Sequence, residues 1–142
     1  MKPVDFALLR EHVKRDEGLR LKPYMDTVGK ITIGYGRNLS DNGITQLEAA
    51  DMLDQDLQRH VSDLLRAFPW VLELDATRQI VLANMAFNMG VPTLSSFRKM
   101  WQAIKAHDYD EAARQMLDSD WAQQVGDRAH RLASAMASGR FA

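Results

Sequence analysis

The chain has 142 residues, of which 46% are apolar and 26% charged; this suits one globular domain or two small lobes on a continuous core, and excludes wholesale disorder. It contains no cysteine, which removes disulfide scaffolds, thiol catalysis and Cys-based zinc sites. A net charge of −1 argues against nucleic-acid binding by electrostatics alone.

The charge is uneven. Residues 1–40 carry 8 basic and 5 acidic groups, residues 41–75 carry 2 and 8, and residues 76–142 carry 8 and 6. The acidic block reads as the solvated face of one helix. No apolar run approaches the roughly 18 residues of a membrane span, and the first residues, MKPVDFALLREHVKRDEG, lack the pattern of a signal peptide. Synthesis and folding in a cytoplasm, with no membrane anchor, are the expectation.

In chain order, segment 3–16 reads as a helix, with Pro3 in its first turn, an apolar stripe including Val4, Leu8 and Val13, and Gly18 as its terminator. From Leu19 to Leu39 the texture favours strands. Tyr24, Ile31, Thr32, Ile33 and Tyr35 fit a β-hairpin or meander turning at Thr27-Val28-Gly29-Lys30, and Gly34 and Gly36 suggest a bend or a close backbone approach. Thr45-Gln46-Leu47-Glu48 is a capping box that opens a helix of about six turns, which Pro69 stops. Asp75 caps a segment over Ala76–Met89 that is apolar nearly all round, hence buried on most sides. Shorter helices follow over Phe97–Ala106, Asp110–Leu117 and Arg128–Ser138, with Asp110 and Asp127 as caps and Gly139 as terminator. The class is α+β, mainly helical, with one small N-terminal β-meander.

The residues able to carry chemistry are Glu17 at the end of the first helix, Asp26 just before the hairpin turn and Thr32 on the returning strand. Two carboxylates and a hydroxyl at one cleft are the parts for acid-assisted hydrolysis of a glycosidic bond. One carboxyl protonates the leaving oxygen, the other holds water or stabilises charge on the sugar, and the threonine holds the water. On spacing alone the pattern is weak, because loop carboxylates are ordinarily solvated. The histidines at 12, 60, 107 and 130 form no metal-ligand pattern, so no metal and no cofactor are expected. Neither a phosphate loop nor a nucleophile elbow is present.

Glu-x8-Asp-x5-Thr within EGLRLKPYMDTVGKITIGYG resembles the catalytic segment of the phage-type lysozymes, muramidase endolysins that open bacterial walls. LDATRQIVLANMAFNMG is similar to that family's buried central helix, and DYDEAARQML and SDWAQQVGDRAHRL resemble later stretches, in matching order over most of residues 8–140. The resemblance implies one lysozyme-like domain over 1–142. Its parts are a β-containing lobe at about 12–45, a connecting helix at about 45–68, and a helical lobe at about 69–142 with the N-terminal helix packing near it. It implies Glu17 as general acid, Asp26 as the residue that positions or activates water, and Thr32 as the water's second holder. The reaction implied is inverting hydrolysis of the β-1,4 bond between N-acetylmuramic acid and N-acetylglucosamine.

The same resemblance assigns Arg128 as the cleft salt-bridge partner of Glu17, and Asn88, Phe87, Gln124 and Tyr35 to substrate binding. For Phe87 core packing is the stronger reading, and Trp121 reads as a buttress. Arg37 stands where the family pattern has histidine, which puts a local salt bridge in doubt. The implied partners are peptidoglycan glycan strands and a phage holin that gives access to the wall. A monomer held in the host bacterial cytoplasm until lysis releases it to the periplasm and wall is expected. Alternatives are a lytic transglycosylase, a catalytically silent peptidoglycan-binding module and a helical interaction protein.

Overall fold

A computed structural model describes residues 4–142; Pro3 lies outside the described residues. The chain divides into two compact units, Met1–Asp51 and Met52–Ala142. The first holds helix α1 (Phe6–Glu17), the antiparallel strands β1 (Arg20–Met25), β2 (Ile31–Gly34) and β3 (Arg37–Asn38) in the order β1-β2-β3, and the short helix α2 (Leu39–Asn42). Mainly helical with one small antiparallel sheet, the chain has the α+β class expected.

Local chemistry sets α1. The Asp5 side chain accepts from Leu8 N–H, and Gly18, at φ 70°, closes the helix by donating to Lys14 C=O. Val4, Leu8 and Val13 are exposed. In the sheet Tyr24 faces Thr32 and Met25 faces Ile31, with an irregularity between Arg20 and Tyr24. Pro23 falls inside that irregular stretch of an edge strand, where its missing N–H removes no regular ladder bond. Lys30 Nζ binds Asp41 at 3.0 Å and Ile31 N–H donates to Ser40 Oγ at 2.9 Å, which pins the hairpin to α2.

Helix α3 (Gln46–Ala67) opens on the expected capping box: Glu48 N–H donates to Thr45 Oγ1 and Thr45 N–H to Glu48 Oε1, at 3.1 and 2.9 Å. Its 22 residues span about 33 Å at 1.5 Å each, and the boundary between the units falls inside it. Pro69 begins a 3-10 turn, Pro69–Glu73.

The second unit continues with α4 (Ala76–Met89), α5 (Val91–Ser95), α6 (Arg98–Lys105), α7 (Tyr109–Leu117), α8 (Asp120–Val125) and α9 (Asp127–Ser138). Val81, Leu82, Met85 and Ala86 of α4 are fully buried with Leu64, Leu94, Met100, Ile104, Met116 and Met136. Ile80 is instead 53% exposed, so the helix is not covered all round. Asp75 caps α4 through Arg78 N–H. Two cap assignments are corrected. Asp108 caps α7, accepting from Glu111 N–H, which leaves Asp110 in the first turn. Gly126 precedes α9, with Asp127 as its first residue. At α7 two acidic residues lie two apart and Asp108 holds the non-helical backbone a cap needs. At α9 the cap position falls on Gly126, which has no side chain to cap with, and Asp127 is already helical. Gly139 ends α9 in the left-handed conformation.

Arg78 locks the second unit. Its side chain, 13% exposed, pairs with Asp75 at 3.0 Å. Nε donates to Met136 C=O at 2.8 Å and Nη2 to Ala137 C=O at 3.1 Å, which satisfies carbonyls that α9 leaves open at its end. The guanidinium also lies 3.5 Å from the centre of the Tyr109 ring.

Candidate active site

In the first unit the hairpin brings Asp26 and Thr32 together. Asp26 Oδ1 accepts from Val28 N–H at 3.0 Å and Lys30 N–H at 2.8 Å. The carboxylate thereby holds the turn that positions it, and Oδ2 stays outside these bonds. Asp26 N–H donates to Lys30 C=O at 2.8 Å, and Thr32 Oγ1 donates to the same carbonyl at 3.1 Å. Thr32 is 4% exposed, so this bond satisfies a hydroxyl that burial would otherwise leave unpaired. Its proton being spent there, the hydroxyl presents acceptor lone pairs to any water beside it.

Glu17 sits at the last position of α1, and its carboxyl rests against Gly36. A Cβ on residue 36 would lie 3.0 Å from Glu17 Oε2. Gly36 has φ +90°, a conformation open to glycine at no steric cost. The close approach expected at the strand glycines is thus the seat of the Glu17 carboxyl. Tyr35, beside it, is exposed, with Lys14 Nζ 5.7 Å from its ring centre. Tyr35 and Gly36 line a pocket of about 530 Å³ with Ile33, Arg37 and Glu48.

Arg37 makes its own ion pair. Nη1 and Nη2 bind Glu48 Oε1 and Oε2 at 2.9 and 2.6 Å, and Nη1 also donates to Gly43 C=O at 3.1 Å. The salt bridge put in doubt by the missing histidine is replaced by a bidentate pair to a capping residue. The Arg37 guanidinium, helped by the Thr45 N–H, holds the Glu48 carboxyl down at about 2.

In the second unit Asn84, Phe87 and Asn88 stand three and four residues apart on α4 and share one face. Arg128 is half-buried and anchored there: Nε and Nη2 donate to Asn84 Oδ1 at 3.0 and 2.7 Å, leaving Nη1 outside these bonds. Phe87 is half-buried and meets the His60 ring edge-on at 5.5 Å. Asn88 is exposed, and its Oδ1 accepts from the indole N–H of buried Trp121 at 2.7 Å. Gln124 lines a pocket of about 620 Å³ with Trp121, Phe97 and Met89.

Sequence reasoning missed Asn84, the link between Arg37 and Glu48, and the Ser40 and Lys30 pins. An asparagine inside an apolar helix was the one available signal for the first, since a half-buried amide needs partners.

The sequence model of the family described as phage lysozyme matches residues 14–135. Over 94% of its length the chain is 33% identical to the pre-baseplate central spike protein Gp5 of Enterobacteria phage T4, and it spans 28% of that protein. It is 26% identical to probable T4-type lysozyme 2 of Dictyostelium discoideum, covering 92% of this chain and 94% of that one. With the endolysin of Acyrthosiphon pisum secondary endosymbiont phage 1 it shares 30% identity over 82% of this chain and 80% of the other.

Proposed function

The chain belongs to the phage lysozyme family, and from that premise we propose that it hydrolyses the β-1,4 bond between N-acetylmuramic acid and N-acetylglucosamine in bacterial peptidoglycan, without a cofactor. The observation that carries this reading is the hairpin turn, where Asp26 and Thr32 converge on the Lys30 carbonyl in the same unit as Glu17.

Glu17, in its acid form, donates a proton to the glycosidic oxygen as the bond from that oxygen to the sugar C1 breaks. A water held by Thr32 Oγ1 and Asp26 Oδ2 attacks C1 from the opposite face and gives its proton to the Asp26 carboxylate. The water oxygen ends on C1, the leaving sugar keeps the proton of Glu17, and solvent resets the two carboxyls. The configuration inverts, a course that needs about 6.5–9.5 Å between carboxyls for the water. Asn88, Phe87, Gln124 and Tyr35 are assigned to the substrate, and Arg128 to the charge balance of the acid.

The biological use that fits is host lysis: a monomer accumulates in the host cytoplasm and reaches the wall once a phage holin opens the membrane. A second reading is a wall-opening lysozyme part of a virion, favoured by the 33% identity to a central spike protein. Presence of the chain in purified particles selects the second reading; its presence only in the lysate selects the first.

Turbidity clearing of purified peptidoglycan by the wild type and by Glu17→Gln tests the chemistry. Clearing by the wild type alone, with products heavier by one water than anhydro ends, is expected. Anhydro products identify a transglycosylase. Equal clearing by both removes Glu17 from the mechanism, and binding without turnover by a folded wild type leaves a silent binding module.

A further inference from the structure

We propose that the second unit carries a non-catalytic glycan-binding site at the pocket between the 3-10 turn and the end of α6, which takes an N-acetylated amino sugar of the peptidoglycan strand; the choice of ligand rests on the function proposed above. The pocket, of about 420 Å³, is lined by Trp70, Glu73, Leu74, Ile104, Lys105 and His107. Its size falls within the range of small-ligand sites, which combine an apolar lining with a few placed polar groups.

Trp70 is the platform. It is half-buried and held in place by two edge-on rings, Phe68 at 6.3 Å and Trp101 at 5.6 Å, which themselves stack at 3.9 Å. Trp101 is 6% exposed, and its indole N–H is tied to Leu94 C=O at 2.9 Å. A rigid aromatic side chain presents contact area to a ligand at little entropic cost. An indole surface suits the C–H face of a pyranose, and half-buried Leu74 supplies further apolar contact.

The rim carries both signs of charge. Lys105 Nζ stands over the Trp70 ring, 5.3 Å from its centre, on an exposed, flexible stem that can swing off the indole toward an incoming carboxylate as the sugar stacks. The lactyl group of muramic acid supplies one. Glu73 accepts from hydroxyl or acetamido N–H groups. His107 closes the rim with φ 58°, the one positive φ among the described non-glycine residues. It occupies the left-handed position after α6, where His107 N–H donates to Ile104 C=O and Asp108 N–H to Ala103 C=O, a cap that ordinarily selects glycine. Its Nδ1 lies 2.9 Å from Tyr109 Oη, so the ring is fixed while Nε2 remains outside that bond. A sugar with hydroxyls, an amide and a carboxylate nearby uses both charges; a purely anionic ligand would meet Glu73.

The test uses the full chain as Glu17→Gln, labelled with nitrogen-15. The three tryptophans give three indole N–H signals, and Trp70→Phe identifies one of them. Titration with a soluble β-1,4 N-acetylglucosamine pentamer should move the Trp70 signal saturably. Lys105→Ala, an exposed substitution, should weaken that response to muramic-acid-containing strands about two- to fivefold. In the wild-type background, Trp70→Ala should raise the half-saturating amount of sacculi about fivefold or more with the maximal clearing rate unchanged. A Trp70 signal that stays still while that of Trp121 moves overturns the proposal, as does a Trp70 response to stem peptide but not to sugar. If Trp70→Ala does not fold, Lys105→Ala and Glu73→Gln decide by the same readouts. Absence of clearing by the wild type defeats the enzymatic reading alone, because the Trp70 titration is independent of turnover.

Discussion

Glu17 and Gly36 are matched in shape: the carboxyl Oε2 occupies space 3.0 Å from where any side chain on residue 36 would begin. The end of α1 and the turn between β2 and β3 therefore meet at the proposed acid itself. Two demands coincide at position 36, a backbone at φ +90° and a surface with no Cβ. Either alone favours glycine; together they make the turn part of the seat of the carboxyl.

Gly36→Ala separates backbone strain from displacement of the acid when set beside Gly43→Ala. Gly43 also has a positive φ, +58°, but a Cβ there meets nothing within 4 Å. Both variants should lose about 1–2 kcal/mol in denaturant unfolding. Clearing of peptidoglycan should fall about tenfold or more only in Gly36→Ala, because a shift of under 1 Å at a reacting group is costly. Equal clearing by the two variants contradicts the role given to the close approach.

Arg37→Met tests how the sheet is tied to α3. Glu48 accepts from both Arg37 and Thr45, which keeps its carboxyl at about 2 instead of the ordinary 4.5. A depressed carboxyl contributes stability that is present above the ordinary value and lost as pH falls toward the lower one. The pair is about 40% exposed, so its effect on stability is screened and the titration itself is the better readout. By carbon-13 NMR the Glu48 midpoint should lie near 2 in the wild type. In Arg37→Met it should rise toward 4.5 without reaching it, since the Thr45 N–H remains. An ordinary midpoint in the wild type refutes the pair.

Arg78→Met should be the most damaging of these substitutions to the fold. It removes the donors to Met136 and Ala137 C=O and the partner of Asp75, and leaves the end of α9 with unpaired carbonyls in a part-buried place. The expected loss is about 2–4 kcal/mol in chemical denaturation. Arg78→Lys should recover only part of it, because an ammonium cannot reach two carbonyls and a carboxylate in one plane. A loss below about 0.5 kcal/mol, the level of an ordinary surface substitution, contradicts the locking role.

What was legible in the sequence depended on the range of the interaction. The capping box at Thr45 and Glu48, the stop at Pro69, the hairpin turn and the buried centre of α4 are each written within a few residues, so local chemistry reveals them. Glu17, Asp26 and Thr32 were readable as a set only through resemblance, since nine- and six-residue spacings carry no geometry of their own. Partners distant along the chain were not readable: Asn84 for Arg128, 44 residues away, or Met136 for Arg78, 58 away. The caps at Asp110 and Asp127 failed for a different reason. Asp108 and Asp110 offer the same side chain and only backbone conformation decides which one caps. At α9 the helix starts one residue earlier than the pattern indicated, so Asp127 is already helical and Gly126 holds the cap position.

Trp121→Phe addresses how Asn88 is held. The indole N–H donates to Asn88 Oδ1 at 2.7 Å, which fixes the amide so that its NH2 group points away from the tryptophan as a donor. Phenylalanine keeps most of the buried ring and its edge contact with Phe97, 6.4 Å between centres, but lacks the donor. Asn88 is exposed, so water replaces the lost bond and the amide turns freely. If Asn88 binds substrate as assigned, half-saturation by sacculi should rise about two- to tenfold, the worth of one oriented hydrogen bond, with a smaller change in maximal rate. Asn88→Ala should give a similar rise. The double variant should be little worse than either alone, because both single changes remove the same oriented amide. Additive effects would mean that Trp121 supports the site through packing and that the bond to Asn88 is incidental to binding.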